Sequence, residues 1–175
     1  MVKTNKKSFS WMDFIPMTFT SILMISQIIV GFYLLSETSQ IEILAYIGAG
    51  LYIFPGWIFG VLPIIEFRKK GGVKKGRSYV NTTKLVDTGI YSIVRHPQFI
   101  TWILWAIAGM LIFQHWIVIL LGIPIIPLTY IDLIMADKRL IEKFGDEYKQ
   151  YMKKVPRANF ILGILRLLKK RDVKN

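Results

Sequence analysis

Long apolar blocks alternate with basic segments along this chain, and that alternation points to a membrane-embedded helical bundle. Phe14–Leu35 and Ile41–Ile65 are each long enough to cross a bilayer at ~1.5 Å of rise per residue. The polar turn Ser36–Gln40 separates them. A shorter run follows from Pro97 to Phe113. Gln114-His115-Trp116 reads as a tight turn, and Ile117–Met135 completes a fourth block. Pro124 and Pro127 argue against one unbroken helix through the last two. The expected architecture is an all-α integral membrane protein. It has about four transmembrane helices (14–35, 41–65, 97–113, 117–135), a cytoplasmic loop (66–96) and cytoplasmic amphipathic C-terminal helices (136–170). The whole reads as one membrane domain over 1–175.

Lys and Arg set the orientation. The N-terminal segment carries Lys3, Lys6 and Lys7, Glu66–Gln98 carries eight basic residues, and the chain from Lys138 carries twelve. The other two turns carry none. Four spans put all three basic segments on one side, and the positive-inside rule makes that side cytoplasmic, with both termini there. The first apolar block is too long for a signal peptide and no small-residue cleavage site follows it, so it reads as uncleaved. Asn81-Thr82-Thr83 matches a glycosylation acceptor that cytoplasmic placement would leave unused.

Composition narrows the chemistry. Hydrophobic residues make up 53% of the chain, against ~45–50% in soluble domains even with Gly counted. The net charge of +12 borders apolar blocks, so anionic lipid headgroups are the expected partner and nucleic acid is not. There is no cysteine, and His96 and His115 are the only histidines. Disulfides, thiolate chemistry and a poly-His metal site are excluded.

Local patterns refine the picture. Pro55 and Pro63 predict a kink in the second span. Gly56 and Gly60 form a Gly-xxx-Gly face, read as helix packing or as a candidate homodimer contact. Leu140, Phe144, Tyr148, Tyr151, Met152 and Val155 share one apolar helical face. Gly145-Asp146 interrupts it, with Asp146 placed to cap the second half, and Pro156 ends it. Ala158–Leu168 is a second apolar run that lies in, or dips into, the membrane interface.

The candidate site gathers at the basic end. Arg95-His96-Pro97 sets a cation and an imidazole at a helix start, and Pro97 suits the first helical position. Free N–H groups there favour a carboxylate or phosphate. Capping by His96 and headgroup contact by Arg95 are the plainer readings. Tyr91 suits either a ligand cation or the interfacial aromatic belt. Asp132 and Asp137 are acids near a membrane boundary, which need partners; Asp132 could pair with Arg95. Arg157 could meet headgroups or grip a carboxylate bidentately.

Together these pieces resemble the isoprenylcysteine carboxyl methyltransferase family in its prokaryotic branch and, more distantly, the phospholipid N-methyltransferases. The matching segments are Leu85–Tyr91, Val94–Phe99, Phe144-Gly145-Asp146-Glu147-Tyr148, Tyr151 and Val155-Pro156-Arg157. The resemblance implies a membrane methyltransferase that uses S-adenosyl-L-methionine. A lipidic or prenylated substrate would enter from the bilayer, in the plasma membrane of a prokaryote. It assigns cofactor contacts to Thr83, Lys84, Leu85, Val86, Tyr91, His96, Pro97, Gln98 and Phe99, with Asp132 or Asp137 as the acid. Arg95, Asp137 and Arg157 are the catalytic candidates. Three departures stand out. Phe99 replaces a usual Tyr. Thr101 and Trp102 replace small residues. Ala136-Asp137 replaces a Glu-Glu pair, with Asp132 where relatives carry an Arg that helps hold the substrate. A carboxylate or thiolate acceptor suits the scarcity of buried bases. The competing readings are a phospholipid N-methyltransferase and a non-catalytic protein that keeps the fold.

Overall fold

The computed structural model describes residues 15–38, 40–73, 76 and 82–172. Lys3, Lys6 and Lys7 of the N-terminal segment, Ser39 of the first turn and Asn81 of the glycosylation match lie outside the described residues. The described chain is helical, without strands. The helices are α1 (Ile15–Tyr33), α2 (Glu42–Pro55), α3 (Leu62–Lys70), α4 (Pro97–Phe113), α5 (Trp116–Gly122), α6 (Ile125–Phe144), α7 (Asp146–Lys154) and α8 (Phe160–Asp172). Three rods are long and apolar enough to cross a membrane: Ile15–Tyr33, Glu42–Lys70 and Trp116–Phe144. The shorter apolar α4 makes the fourth rod. The protein is an all-α integral membrane protein.

α4 sits at the centre, packed most extensively on α2 and also on α1, α5 and α6. Lipid offers apolar side chains nothing that the bundle interior lacks, so close packing and polar contacts hold such helices together. Gln27 of α1 supplies one polar contact. Its amide donates to the Ala106 carbonyl at 3.0 Å and reaches that of Val118 at 3.4 Å, joining α1 to α4 and α5. At the bundle end without cationic loops, Gln114 occupies the left-handed region at φ 48°. Its side chain accepts from the Ile41 N–H at 2.9 Å and donates to the Ile41 carbonyl at 3.0 Å. The two short turns are thereby clipped together.

The second rod passes through both prolines without a break. α2 runs into α3 through a wider π-helical turn, Gly56–Val61, and the rod continues. Such a turn shifts the hydrogen-bond ladder and frees a carbonyl, which must find a donor at membrane depth. The Trp105 indole N–H of α4 donates to the Tyr52 carbonyl at 2.9 Å, and the two rings stack 5.1 Å apart. A Cβ on Gly56 would lie 3.1 Å from the Trp105 ring, so Gly56 admits a neighbour of its own chain. Gly60 faces open space.

α5 and α6 are separated at Ile123-Pro124, where Pro124 flanks α6 and Pro127 falls in its first turn. Proline costs little there, because those N–H groups have no intrahelical partner. α6 then extends to Phe144, beyond the expected end at Met135. The apolar face of the C-terminal region forms one cluster: Tyr148, Tyr151 and Val155 bury against Leu85, Leu140, Ile141, Phe144 and Met152. Gly145, at φ 59°, makes the break between α6 and α7. Asp146 does not cap α7; its carboxylate accepts from Lys149 at 2.8 Å instead.

Candidate functional site

Three stretches of sequence meet at the basic end of the bundle. Arg95 and His96 lie just before α4, Asp137 lies on α6, and Tyr148 and Arg157 lie on and after α7. The backbone makes the first connection. The Arg95 N–H donates to the Pro156 carbonyl at 3.0 Å, and the His96 N–H to the Arg157 carbonyl at 3.2 Å. Two groups that would be orphaned at a helix start are thus satisfied by the chain that leaves α7.

The side chains converge on one carboxylate. Asp137 Oδ1 accepts from Arg95 Nη1 at 3.1 Å and from the Tyr148 hydroxyl at 2.6 Å. His96 Nε2 lies 2.6 Å from the same oxygen. Asp137 Oδ2 accepts from Arg157 Nε at 2.8 Å. Asp137 is 3% exposed, and Arg95 only 8%. A buried carboxylate survives where it is paired and hydrogen-bonded, and here every contact comes from a donor or an imidazole. His96 makes no capping hydrogen bond to α4. Phe99 stands edge-on to its ring at 5.6 Å.

Burial holds the His96 imidazole below its ordinary pKa; the Asp137 contact opposes this, and Arg95 and Arg157 reinforce it. Neutral His96 leaves two guanidinium charges against one carboxylate, a surplus of one positive charge. Burial, then Asp137, push the Tyr148 hydroxyl upward, so it stays a donor. The pH consequence has a definite sign. A depressed native pKa means that the unfolded chain binds the proton more readily. His96 therefore favours the folded state above the unfolded value of ~6.5, and that contribution is lost as pH falls below it. As pH is lowered through ~6.5, the melting temperature of wild type should accordingly fall relative to that of His96→Gln, which has no imidazole to protonate. A constant gap would contradict neutral His96.

Arg157 is the member of this cluster that reaches the surface. Its side chain is 33% exposed. Its Nη1 lies 3.3 Å from the Tyr130 hydroxyl, and its guanidinium sits 5.9 Å from that ring. Arg95 Nε is buried without a partner. The cluster thus combines surplus positive charge, one exposed guanidinium and one unused buried donor.

A cleft of about 320 Å³ adjoins it, walled by the 85–92 segment, α7 and α8. Asp87, Glu147, Lys154 and Arg166 supply charge at its wall, and Leu85, Val155 and Leu167 supply apolar surface. Tyr151 lines the cleft and donates to the Tyr91 carbonyl at 2.6 Å, fixing α7 to the segment before Arg95.

The sequence-expected residues therefore divide. Arg95, His96, Asp137 and Arg157 come together, with Phe99 beside them. Pro97 is buried at the first position of α4, and Gln98 is half-buried. Leu85 lines the cleft. Val86 and Tyr91 lie in the core with Val94 and Ile100, and Tyr91 stacks on Phe67 at 4.7 Å. Thr83 and Lys84 form an exposed turn whose N–H groups donate to the Gly71 carbonyl at 2.8 and 3.2 Å. Asp132 is buried elsewhere, against the backbone of Met17 in the first turn of α1. Arg95 pairs with Asp137, not with Asp132. Among the described residues no group of His, Asp and Glu side chains could hold a metal. Sequence reading placed Tyr148 on an apolar face and in a family-like segment, but not among the site residues. Its available signal was chemical: a buried tyrosine needs a partner for its hydroxyl.

Residues 76–142 match the isoprenylcysteine carboxyl methyltransferase (ICMT) family. The chain is 34% identical over 73 residues to the protein-S-isoprenylcysteine O-methyltransferase of Schizosaccharomyces pombe, covering 41% of this chain and 31% of that protein. It is 27% identical over 135 residues to protein-S-isoprenylcysteine O-methyltransferase B of Arabidopsis thaliana, covering 66% and 68%. It is 31% identical over 94 residues to the human protein-S-isoprenylcysteine O-methyltransferase, covering 48% and 30%. The matches thus span under a third of the yeast and human relatives and about two thirds of the plant one. No solved structure matches the chain.

Proposed function

We propose that this chain, whose residues 76–142 match the ICMT family, is a membrane methyltransferase that uses S-adenosyl-L-methionine to methylate a carboxylate of a lipidic acceptor. The observation that carries this reading is the convergence of Arg95, His96, Tyr148 and Arg157 on Asp137. It draws three separate family-like segments into one electropositive site where the bundle meets its basic end.

The residues fit such a cofactor in two places. Arg95 Nε, buried and unpartnered, is a donor for a carboxylate. The adjoining cleft falls at the lower end of the ~300–1,000 Å³ range of small-molecule pockets. There Asp87 and Glu147 offer acceptors for ribose hydroxyls, and Leu85 and Leu167 offer apolar surface for a base. Bound there, the cofactor supplies a methyl group on a positively charged sulfur.

The chain's own residues do the rest. A carboxylate acceptor is already ionised at neutral pH, so its oxygen would attack the methyl carbon in line, the O–C bond forming as the S–C bond breaks and the neutral thioether leaves, with no proton to remove. Arg157, half-buried and steadied by Asp137 and Tyr130, could hold that acceptor with the part of its guanidinium that reaches the surface. Asp137 acts by positioning the two arginines; its oxygens are already engaged by its own chain, which sets it apart from the acid expected to bind the cofactor directly. Cytoplasmic placement of the basic end agrees with the distribution of Lys and Arg.

Reconstituted protein should transfer radiolabelled methyl groups from S-adenosyl-L-methionine to a membrane lipid extract or a prenylated cysteine, and mild base should release the label as methanol. A base-stable product would point to an amine acceptor. No transfer to either acceptor would contradict the enzymatic reading.

A further inference from the structure

α8 has three different sides. Phe160, Gly163 and Leu167 face the bundle and the cleft, while Arg166 and Lys169 flank the exposed Leu162 on a second side, Arg166 at the cleft wall. The third side is apolar and uncovered: Ile161, Ile164, Leu165 and Leu168 are 60%, 43%, 58% and 51% exposed, at helical spacing. A stripe of four large aliphatic side chains is costly to leave in water.

The depth of α8 identifies what covers that stripe. The Phe160 ring packs 5.3 Å from the Phe59 ring and joins the core cluster containing Ile100. Phe59 lies inside the Glu42–Lys70 rod, roughly 15 Å along it from Lys70 at helical rise. Ile100 is in the first turn of the central helix α4. α8 therefore starts below the basic rim of the bundle. Ile58, Leu62 and Ile65 of the second rod are likewise uncovered apolar side chains.

We propose that α8 is an interfacial membrane helix, seated on its Ile161/Ile164/Leu165/Leu168 face in the headgroup–acyl boundary, with the bilayer holding it as one wall of the cleft. The occupant is the lipid surface itself. Arg166 and Lys169 lie where anionic headgroups would meet them. A methyltransferase with such a wall assembles its pocket only on a membrane, but the seating does not depend on the catalytic reading.

The native chain has no cysteine, so single nitroxide labels report cleanly. Ile161→Cys, Leu165→Cys, Leu168→Cys and Lys169→Cys proteins would be labelled and reconstituted in phosphatidylcholine vesicles containing phosphatidylglycerol. Collision with oxygen should dominate at the first three positions, and collision with a water-soluble nickel chelate at Lys169→Cys. Nickel dominance at all four positions would overturn the proposal and leave α8 in water. Protection from both reagents at the first three would overturn it equally, by showing protein on that face. Because all four sites are on the outer surface, each variant can be checked for wild-type melting before it is read.

Discussion

Asp137→Ala is expected to be the most damaging single substitution at the site. It leaves the Arg95 guanidinium, 92% buried by its 8% exposure, without its counterion. It also strips the Tyr148 hydroxyl and Arg157 Nε of their acceptor. Removing one partner of a buried ion pair costs roughly 3–5 kcal/mol, mostly because the other charge stays desolvated. Part of that cost will be recovered if Arg95 turns toward solvent, so the lower half of the range is expected. Thermal unfolding in nanodiscs reads the effect directly. Asp137→Asn keeps the shape and an acceptor oxygen but not the charge, and should fall between wild type and Ala. Asp132→Ala should preserve the ion cluster and loosen the start of α1. Equal losses of activity in the two alanine variants would show that the cluster has no special place in the chemistry.

The second large effect is expected at Gly163, where α8 approaches the chain before α4 most closely. A side chain added there would overlap the backbone carbonyl of Ile93. A backbone oxygen cannot rotate away as a side chain can, so Gly163→Val must lift α8 from the bundle. Phe160 of α8 packs on Phe59 of the second rod, so the melting temperature should fall modestly while the rods themselves stay assembled. The cleft, walled by Gly163, Arg166 and Leu167, should open. Ligand binding should then drop about tenfold or more, on the scale of ~1.4 kcal/mol per decade. Wild-type affinity in Gly163→Val would mean that α8 is not part of the binding site.

Hydropathy and basic flanks made the rods legible, because membrane depth imposes a length and a composition on any span. The bounds of α4, Pro97–Phe113, are those the apolar run and Pro97 suggest. The second rod was less legible. Two prolines announce a disturbed helix, but not the π-helical turn between them or the group that satisfies its freed carbonyl. The donor, Trp105, lies 53 positions away. The two aspartates show a different limit. Asp132 and Asp137 are five residues apart on one helix, about 140° around its axis at ~100° per residue. They cannot both face one site, and that much was readable. Which one faces Arg95 depends on how α6 is rotated against α1 and α4, a property of packing rather than of local sequence. Tyr148 was hidden for a related reason: its ring obeys the apolar periodicity, while its hydroxyl serves Asp137.

The most direct test of the site is a calorimetric titration of S-adenosylhomocysteine into the protein in nanodiscs, beside the Asp87→Ala/Glu147→Ala variant. Those two carboxylates line the cleft and take no part in the Asp137 cluster. Each lost hydrogen bond to a charged group is worth ~1.5–3 kcal/mol. Saturable binding to the wild type, weakened about tenfold or more in the double variant at unchanged melting temperature, is the predicted result. No heat with the wild type, or equal affinity in both proteins, would contradict the account.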